Sequence, residues 1–173
     1  CIMRWPAALP KGEICRELAT SMDFLPTLTR LAGGEPPTDR IIDGKDIRSL
    51  MMCEDDAESQ YDAFFYYVLD NLEAVRSGKW KLHCSKGGEP VCELYDLEND
   101  IAESINVAEQ HPDIVKELET KLDTCRKDLG DALTDAPGKN CRPAGKVENP
   151  KPLTEYDPEH PYILAMYDLP DAG

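Results

Sequence analysis

Basic residues and long apolar runs are both scarce in this sequence. Lysine and arginine total 19 against 34 aspartate and glutamate residues, which leaves a formal net charge of -15. So acidic a chain repels phosphate backbones and anionic lipids. The longest uninterrupted apolar run, Ala63 to Leu69, is far shorter than the roughly 20 residues that span a bilayer. The sequence therefore predicts no nucleic-acid partner and no membrane span.

Metal-binding cysteine patterns are also missing. The seven cysteines form no C-x-x-C pair and no Cys/His cluster with zinc-ligand spacing. Their number favours an oxidising, extracytoplasmic location (secreted, periplasmic or lysosomal), with buried reduced thiols in a cytosolic protein as the alternative. Cys84 and Cys92 bracket the turn SKGGEP, so a disulfide across that hairpin is one hypothesis; it needs Cα atoms about 5.5 Å apart.

The chain starts at Cys1 rather than methionine and shows no signal-peptide pattern. We therefore expect it to begin inside a longer protein, and a catalytic group that it lacks can lie upstream. Its 173 residues, 41% hydrophobic and 31% charged, suit about one soluble globular domain.

The first zone, residues 1–55, combines a short strand with a helix. CIMRW is apolar enough for a buried strand, which Pro6 ends. A helix follows in ATSMDFLPTLTRLAGG, with Thr20 or Ser21 as N-cap, an apolar stripe that includes Leu25 and Leu28, and Gly33-Gly34 as the stop.

Residues 56–133 predict an antiparallel sheet and one long helix. Four short apolar runs separated by turn residues, YDAFFYYVL, LEAVR, KWKLHC and VCELYDL, indicate a meander. Residues 111–130 carry the clearest helical pattern, with Pro112 in the first turn and Gly130 at the end. Its apolar stripe predicts packing against one face of the sheet. Residues 134–173 hold seven of the 14 prolines and predict an extended or partly disordered tail.

The order and wording of these segments resemble the C-terminal part of the sulfatases, the arylsulfatase-like branch of the alkaline-phosphatase superfamily. The resemblance covers roughly residues 1–130 and departs from the family at Ala7, where glycine is frequent. It is carried by these stretches in order: CIMRWPAALPKG, SMDFLPTLTRLAGG, DGKD, AFFYYV, LEAVRSGKWKLH and ELYDLENDIAESINVAEQHP.

The resemblance implies a fold, an activity and a cofactor. Residues 1–55 would end the large mixed-sheet α/β core of a sulfuric ester hydrolase, and residues 56–133 would form its C-terminal α+β subdomain. The family attacks sulfate esters with a formylglycine beside calcium, and those groups lie before the point that matches Cys1. This chain is thus expected to hold neither nucleophile nor calcium ligands, and its partner would be the upstream catalytic portion. CRPAG at 141–145 has Gly145 where the nucleophile motif needs arginine.

The stretch RSGKWKLHCSK collects cations in an acidic chain. If KWKLHC is a strand, Trp80, Leu82 and Cys84 point one way, and Lys79, Lys81 and His83 point the other. Such lysines often only protect an exposed sheet face or edge. The alternative is a face that overlooks the active-site mouth and attracts a sulfated small molecule or glycan. The resemblance implies that His83 contacts substrate there.

Two other functions stay open on the residues alone. One is a non-catalytic binding or scaffold module, or a degenerate sulfatase relative; the other is a phosphatase or phosphonate hydrolase of the same superfamily. Asp43 and Asp46 in DGKD are read as turn and cap residues, and His111 and His160 as residues explained by the proline that follows each.

Overall fold

Four antiparallel strands form the centre of the computed structural model, which describes residues 1–142 and 148. The strands are β1 (Phe64–Val68), β2 (Asn71–Ser77), β3 (Trp80–Lys86) and β4 (Glu89–Asp96), paired in chain order. The helices are α1 (Phe24–Leu31), α2 (Arg48–Met51) and α3 (Pro112–Leu129). The predicted mixed fold, a four-stranded antiparallel sheet packed by a long helix, is confirmed.

Helix α3 covers one face of the sheet, which we call the helix face. Leu118, Leu122 and Cys125 of α3 are buried against Leu82 and Leu94 of the sheet, as the predicted stripe requires. Cys84 and Trp80 also pack on this face. Because side chains alternate along a strand, Lys81 and His83 lie on the opposite face.

The end of α3 is fixed to the sheet by Asp131, which is buried. Its Oδ1 accepts hydrogen bonds from the Leu72 amide at 3.2 Å and the Leu133 amide at 3.1 Å, and its Oδ2 accepts from Arg126 Nε at 2.9 Å. Tyr67 donates to the carbonyl of Gly130 at 2.7 Å, and burial, together with a hydrogen bond to Cys125, raises the tyrosine pKa. These bonds connect the helix end with the strand pair β1–β2.

The strand predicted at Cys1–Trp5 does not form in this chain. These residues are irregular and mostly exposed, because a strand needs a hydrogen-bonded neighbour and the described residues offer none. The helix prediction was better: Thr20 caps a 3-10 turn, Ser21–Asp23, that leads into α1. Leu25 and Leu28 on α1 are nonetheless 53% and 55% exposed.

Buried Asp23 and Thr27 join α1 to the segment that contains DGKD. Asp23 accepts from the Thr20 amide at 2.6 Å and from the Lys45 amide at 2.7 Å. Thr27 Oγ1 accepts from the Ile47 amide at 3.0 Å. Gly44 passes so close that an added Cβ would lie 2.0 Å from the Met22 carbonyl oxygen. The stretches SMDFLPTLTRLAGG and DGKD therefore pack together as one structural unit.

The predicted domain limits at 55/56 and 133/134 stay predictions. Residues Cys1–Cys141 form one compact unit. Most of the predicted tail, most of CRPAG and His160 lie outside the described residues.

Candidate functional site

Lys81 and His83 stand side by side on the sheet face opposite α3. They alternate along β3 with the core residue Leu82, so strand geometry alone places both on this face. The Lys81 ammonium lies 4.7 Å from the centroid of the Tyr66 ring on β1. The His83 ring meets the Tyr95 ring on β4 edge to face, with centroids 5.8 Å apart. An aromatic ring thus lies beside each group, Tyr66 of β1 beside Lys81 and Tyr95 of the adjacent strand β4 beside His83.

The two side chains share one carboxylate, that of Glu103. Lys81 Nζ lies 2.5 Å from Glu103 Oε1, and His83 Nε2 lies 2.7 Å from Oε2. All three side chains are largely buried, with 14%, 12% and 25% of Lys81, His83 and Glu103 exposed. Burial raises the pKa of Glu103, but the hydrogen bonds from Lys81 and His83 outweigh it and hold the pKa below its ordinary value.

A tight loop after β4 brings Glu103 back over the sheet. Asp100 Oδ2 accepts from the amides of Ser104 at 2.7 Å and Ile105 at 2.8 Å. Asn106 Oδ1 accepts from the Leu94 amide at 3.0 Å, which ties the loop to β4. Glu103 itself has φ 53°, a left-handed conformation that costs free energy for a residue with a Cβ. The loop therefore holds Glu103 in a defined position.

The remaining cations of RSGKWKLHCSK also have polar partners. Lys79 precedes β3, pairs with Asp96 at 2.9 Å and lies over the Trp80 ring. Lys86 pairs with Glu93. Arg76 Nε donates to the Gly78 carbonyl at 3.0 Å. Acids from later in the chain supply the counter-charges, so the stretch is not a bare cationic surface.

Two buried polar atoms of β3 have no hydrogen-bond partner within the described residues. They are His83 Nδ1 and Ser85 Oγ. Ser85 follows His83 by two residues on β3 and is only 3% exposed. Buried polar atoms are rarely left unpaired in native proteins. Among residues 1–142 and 148, nothing satisfies these two polar atoms.

The other candidates take structural positions. Asp46 Oδ1 accepts from the Arg48 amide at 3.2 Å just before α2, a turn bond; it is not the helix cap, because the N-cap residue of α2 is Ile47, which makes no side-chain cap bond. His111 lies before α3 with its ring centroid 4.9 Å from that of Trp80. The Cys84–Cys92 disulfide is wrong: both thiols are free, and Cys84 Sγ lies 3.3 Å from the Leu72 carbonyl oxygen on β2, on the side away from β4.

The part of the chain that the structure describes offers no set of three or more His, Cys, Asp or Glu side chains that could hold a metal ion. Calcium prefers six to eight oxygen ligands, and the described residues do not fit such a site. Within residues 1–142 and 148, no helix is long and apolar enough to cross a membrane.

Glu103 is the site residue that sequence reasoning missed. It lies 20 residues beyond His83, and periodicity carries no information about which loop returns to a sheet face. A weak indication was present, since Glu103 falls within ELYDLENDIAESINVAEQHP, a stretch that resembles the sulfatases.

Comparison with known families decides the identity of the fold. Residues 1–128 match the family model described as N-sulphoglucosamine sulphohydrolase, C-terminal. The chain belongs to this sulfatase C-terminal family. The resemblance inferred from the sequence is therefore confirmed, and so is the broader assignment to the sulfatases, a class of hydrolases.

Curated relatives of this sulfatase segment are much longer proteins. The chain is 45% identical over 82 residues to an arylsulfatase of Hemicentrotus pulcherrimus, a match that covers 47% of the chain and 14% of that protein. It is 41% identical over 85 residues to the steryl-sulfatase of Mus musculus, with 47% and 14% covered. The N-acetylgalactosamine-6-sulfatase of Canis lupus familiaris is 38% identical over 79 residues, with 46% and 15% covered. The matched part thus spans about one seventh of these relatives.

Solved structures share the fold of the sulfatase segment. One, from work on the metabolism of multiple glycosaminoglycans by Bacteroides thetaiotaomicron, has a TM-score of 0.55 at 24% identity and covers 71% of this chain and 28% of that one. Another, in complex with its substrate D-glucosamine-2-N,6-O-disulfate, has a TM-score of 0.56 at 23% identity and covers 79% and 29%. At these identities the likeness concerns the fold.

Proposed function

We propose that this chain is the C-terminal segment of a sulfuric ester hydrolase, in which it completes the catalytic core and shapes the substrate entrance. The observation that carries the proposal is the family match over residues 1–128. The exposed leucines of α1, Leu25 and Leu28, support the first role, because an apolar helix face of this kind is usually buried against another element. The partner would be the upstream catalytic portion of the same protein.

The chemistry of the whole protein would reside outside the described residues. A formylglycine nucleophile and calcium are implied by the family resemblance, and both would be supplied upstream. The substrate would be a sulfated small molecule or glycan, and the location extracytoplasmic. What this chain's own residues would do is bind and orient the substrate from one side of the entrance.

His83 would be the substrate-contacting residue. Two observations support this role. His83 lies on the sheet face opposite α3, and it belongs to a polar cluster with Lys81 and Glu103. The Lys81–Glu103 pair is formally neutral, so the cluster is suited less to attracting sulfate by net charge than to hydrogen bonding with polar groups of the substrate. His83 would act in binding and orientation rather than as the central acid or base.

Kinetics of the full-length protein test the role of His83. We expect His83→Ala to raise KM for a sulfate ester about tenfold, with a smaller change in kcat, because a lost binding hydrogen bond affects ground state and transition state alike. His111→Ala is the matched control, since His111 lies against Trp80 on the helix face. If His83→Ala leaves both KM and substrate preference unchanged, His83 does not contact substrate.

A non-catalytic scaffold or degenerate sulfatase relative is the alternative. Peptide mapping of the full-length protein separates the two, because an active sulfatase carries an upstream Cys/Ser-x-Pro-x-Arg peptide whose cysteine or serine has become an aldehyde. A full-length protein without that motif, or with the motif unmodified after native expression, would favour the scaffold.

A further inference from the structure

The cluster on the open sheet face contains a residue whose role differs from substrate contact. Glu103 pairs with both Lys81 and His83. Its carboxylate is ionised because its pKa is held below the ordinary value, and an ionised carboxylate can only accept hydrogen bonds. His83 Nε2 must therefore carry the proton that points to Glu103.

The other ring nitrogen of His83 then follows. Nδ1 is buried and has no partner within the described residues. A hydrogen on Nδ1 would be a buried donor without an acceptor, which costs more free energy than a buried lone pair without a donor. The geometry thus favours hydrogen on Nε2 and an acceptor at Nδ1.

The other charged or titratable groups near the His83 ring do not determine its tautomer. Glu93, opposite His83 on β4, is engaged by Lys86 and by the Tyr95 hydroxyl, which donates to it at 2.8 Å. Tyr95 presents its ring to His83. Lys81 has no lone pair when charged and is itself held by Glu103. Within the part of the chain that the structure describes, Glu103 is the hydrogen-bond partner of the imidazole.

We propose that Glu103 is a positioning residue, which fixes the tautomer and orientation of His83 and neutralises Lys81 beside it. The loop geometry is consistent with such a role. Asp100 and Asn106 hold the loop by four hydrogen bonds to backbone amides, those of Ser104, Ile105, Leu94 and Ala108. Glu103 keeps a left-handed φ of 53° within it, and such conformations persist where the surrounding structure enforces them.

The expected loss of activity rests on the proposed function, because it requires that His83 contacts substrate. The expected tautomer of His83 does not rest on it. If His83 contacts substrate, Glu103→Ala in the full-length protein should lower kcat/KM about tenfold, a typical effect of losing a residue that orients a functional one. The double variant His83→Ala with Glu103→Ala should then be no worse than His83→Ala alone, because one residue acts through the other. Glu98→Ala, which removes an acid 3.6 Å from Lys79 in the turn region, is the control.

A spectroscopic measurement decides the positioning role directly. Full-length protein labelled with ¹⁵N in its histidines reports which ring nitrogen of His83 carries the proton, with His83→Ala used to assign the resonance. We expect the Nε2–H tautomer in the wild type and in Glu103→Gln, whose amide oxygen can still accept from Nε2, and a mixture of tautomers in Glu103→Ala.

The outcomes separate the two claims. An unchanged tautomer in Glu103→Ala, or kinetic losses that add to those of His83→Ala, would overturn the positioning role. If His83→Ala has no kinetic effect but Glu103→Ala still changes the tautomer, the substrate contact fails and the positioning role stands.

Discussion

Buried carboxylates organise this chain at the scale of single residues. Asp23 connects α1 to the DGKD segment, Asp131 connects α3 to β2, and Glu103 connects the loop after β4 to β3. Each accepts more than one hydrogen bond, so removing one carboxylate leaves several donors without partners. Buried unpaired donors cost more free energy than the net value of a hydrogen bond.

Asp131 offers a direct test of this principle. We expect Asp131→Ala to lower the free energy of unfolding by about 3 kcal/mol, because it removes a buried acceptor of two amides and of Arg126. Asp123→Ala is the matched control: Asp123 pairs with the same Arg126 at 2.9 Å but is 64% exposed, and its removal should cost less than about 0.5 kcal/mol. Equal urea midpoints for the two variants would contradict the assignment.

Glu103 adds a pH dependence of stability. Because its pKa is lower in the folded state than in the unfolded chain, its ionised form stabilises the fold above the ordinary glutamate value of about 4.3. That contribution is lost as pH falls through the lower folded value. Glu103→Gln should therefore flatten the decline of the urea midpoint between about pH 5 and pH 3, whereas Glu109→Gln, at an exposed position, should leave the wild-type slope. A wild-type slope in Glu103→Gln would contradict the ion-pair geometry.

Elements made from local patterns were predictable, and those that need distant partners were not. The four strands, the turn at Gly78 and the buried stripe of α3 follow from periodicity and turn residues. Leu129, which the helical pattern also places in that stripe, is 42% exposed in the last turn of α3. The strand at Cys1–Trp5 failed because sequence periodicity does not reveal whether a neighbouring strand exists.

The site residues also differ in whether a local pattern predicts their position. Alternation along β3 correctly placed Lys81 and His83 on one face, away from Leu82. Lys79 was misplaced because β3 begins at Trp80, and strand ends are the least certain part of such predictions. Glu103 reaches the face through a loop, so only three-dimensional structure shows that the cations have acidic partners.

Because α1 packs closely against the DGKD segment, we expect Gly44→Ala to destabilise the fold. An alanine Cβ there would lie 2.0 Å from the Met22 carbonyl oxygen, so Gly44→Ala must separate the two segments. We expect a loss of at least about 2 kcal/mol of stability and faster amide exchange at Lys45 and Ile47, whose amides bond to Asp23 and Thr27. Gly12→Ala is the control, since no atom lies within 4 Å of its added Cβ. Unchanged exchange at both amides would contradict the close approach.

At the scale of the whole molecule, apolar side chains of the first 41 residues are unusually exposed. They include Ile2 at 98%, Ile14 at 77% and Ile41 at 70% exposed, besides Leu25 and Leu28. So many exposed apolar side chains in one segment are typical of a surface that another element covers. We infer that these side chains meet the upstream catalytic portion of the protein.

A double substitution on α1 tests that interface. Leu25→Ser with Leu28→Ser should lower the melting temperature of the full-length protein by several degrees, because two leucines would lose a buried environment. The same pair should change the isolated 173-residue chain little. Leu69→Ser, at a turn residue that is 92% exposed, is the control in both proteins. An equal effect in both proteins, or none in either, would contradict the proposed interface.

The most direct test of the central claim is the release of inorganic sulfate by the full-length protein from aryl sulfate and sulfated glycan esters. We expect sulfate release from at least one of them, with KM raised by His83→Ala and unchanged by His111→Ala. A folded, formylglycine-containing full-length protein that releases no sulfate from any ester would contradict it.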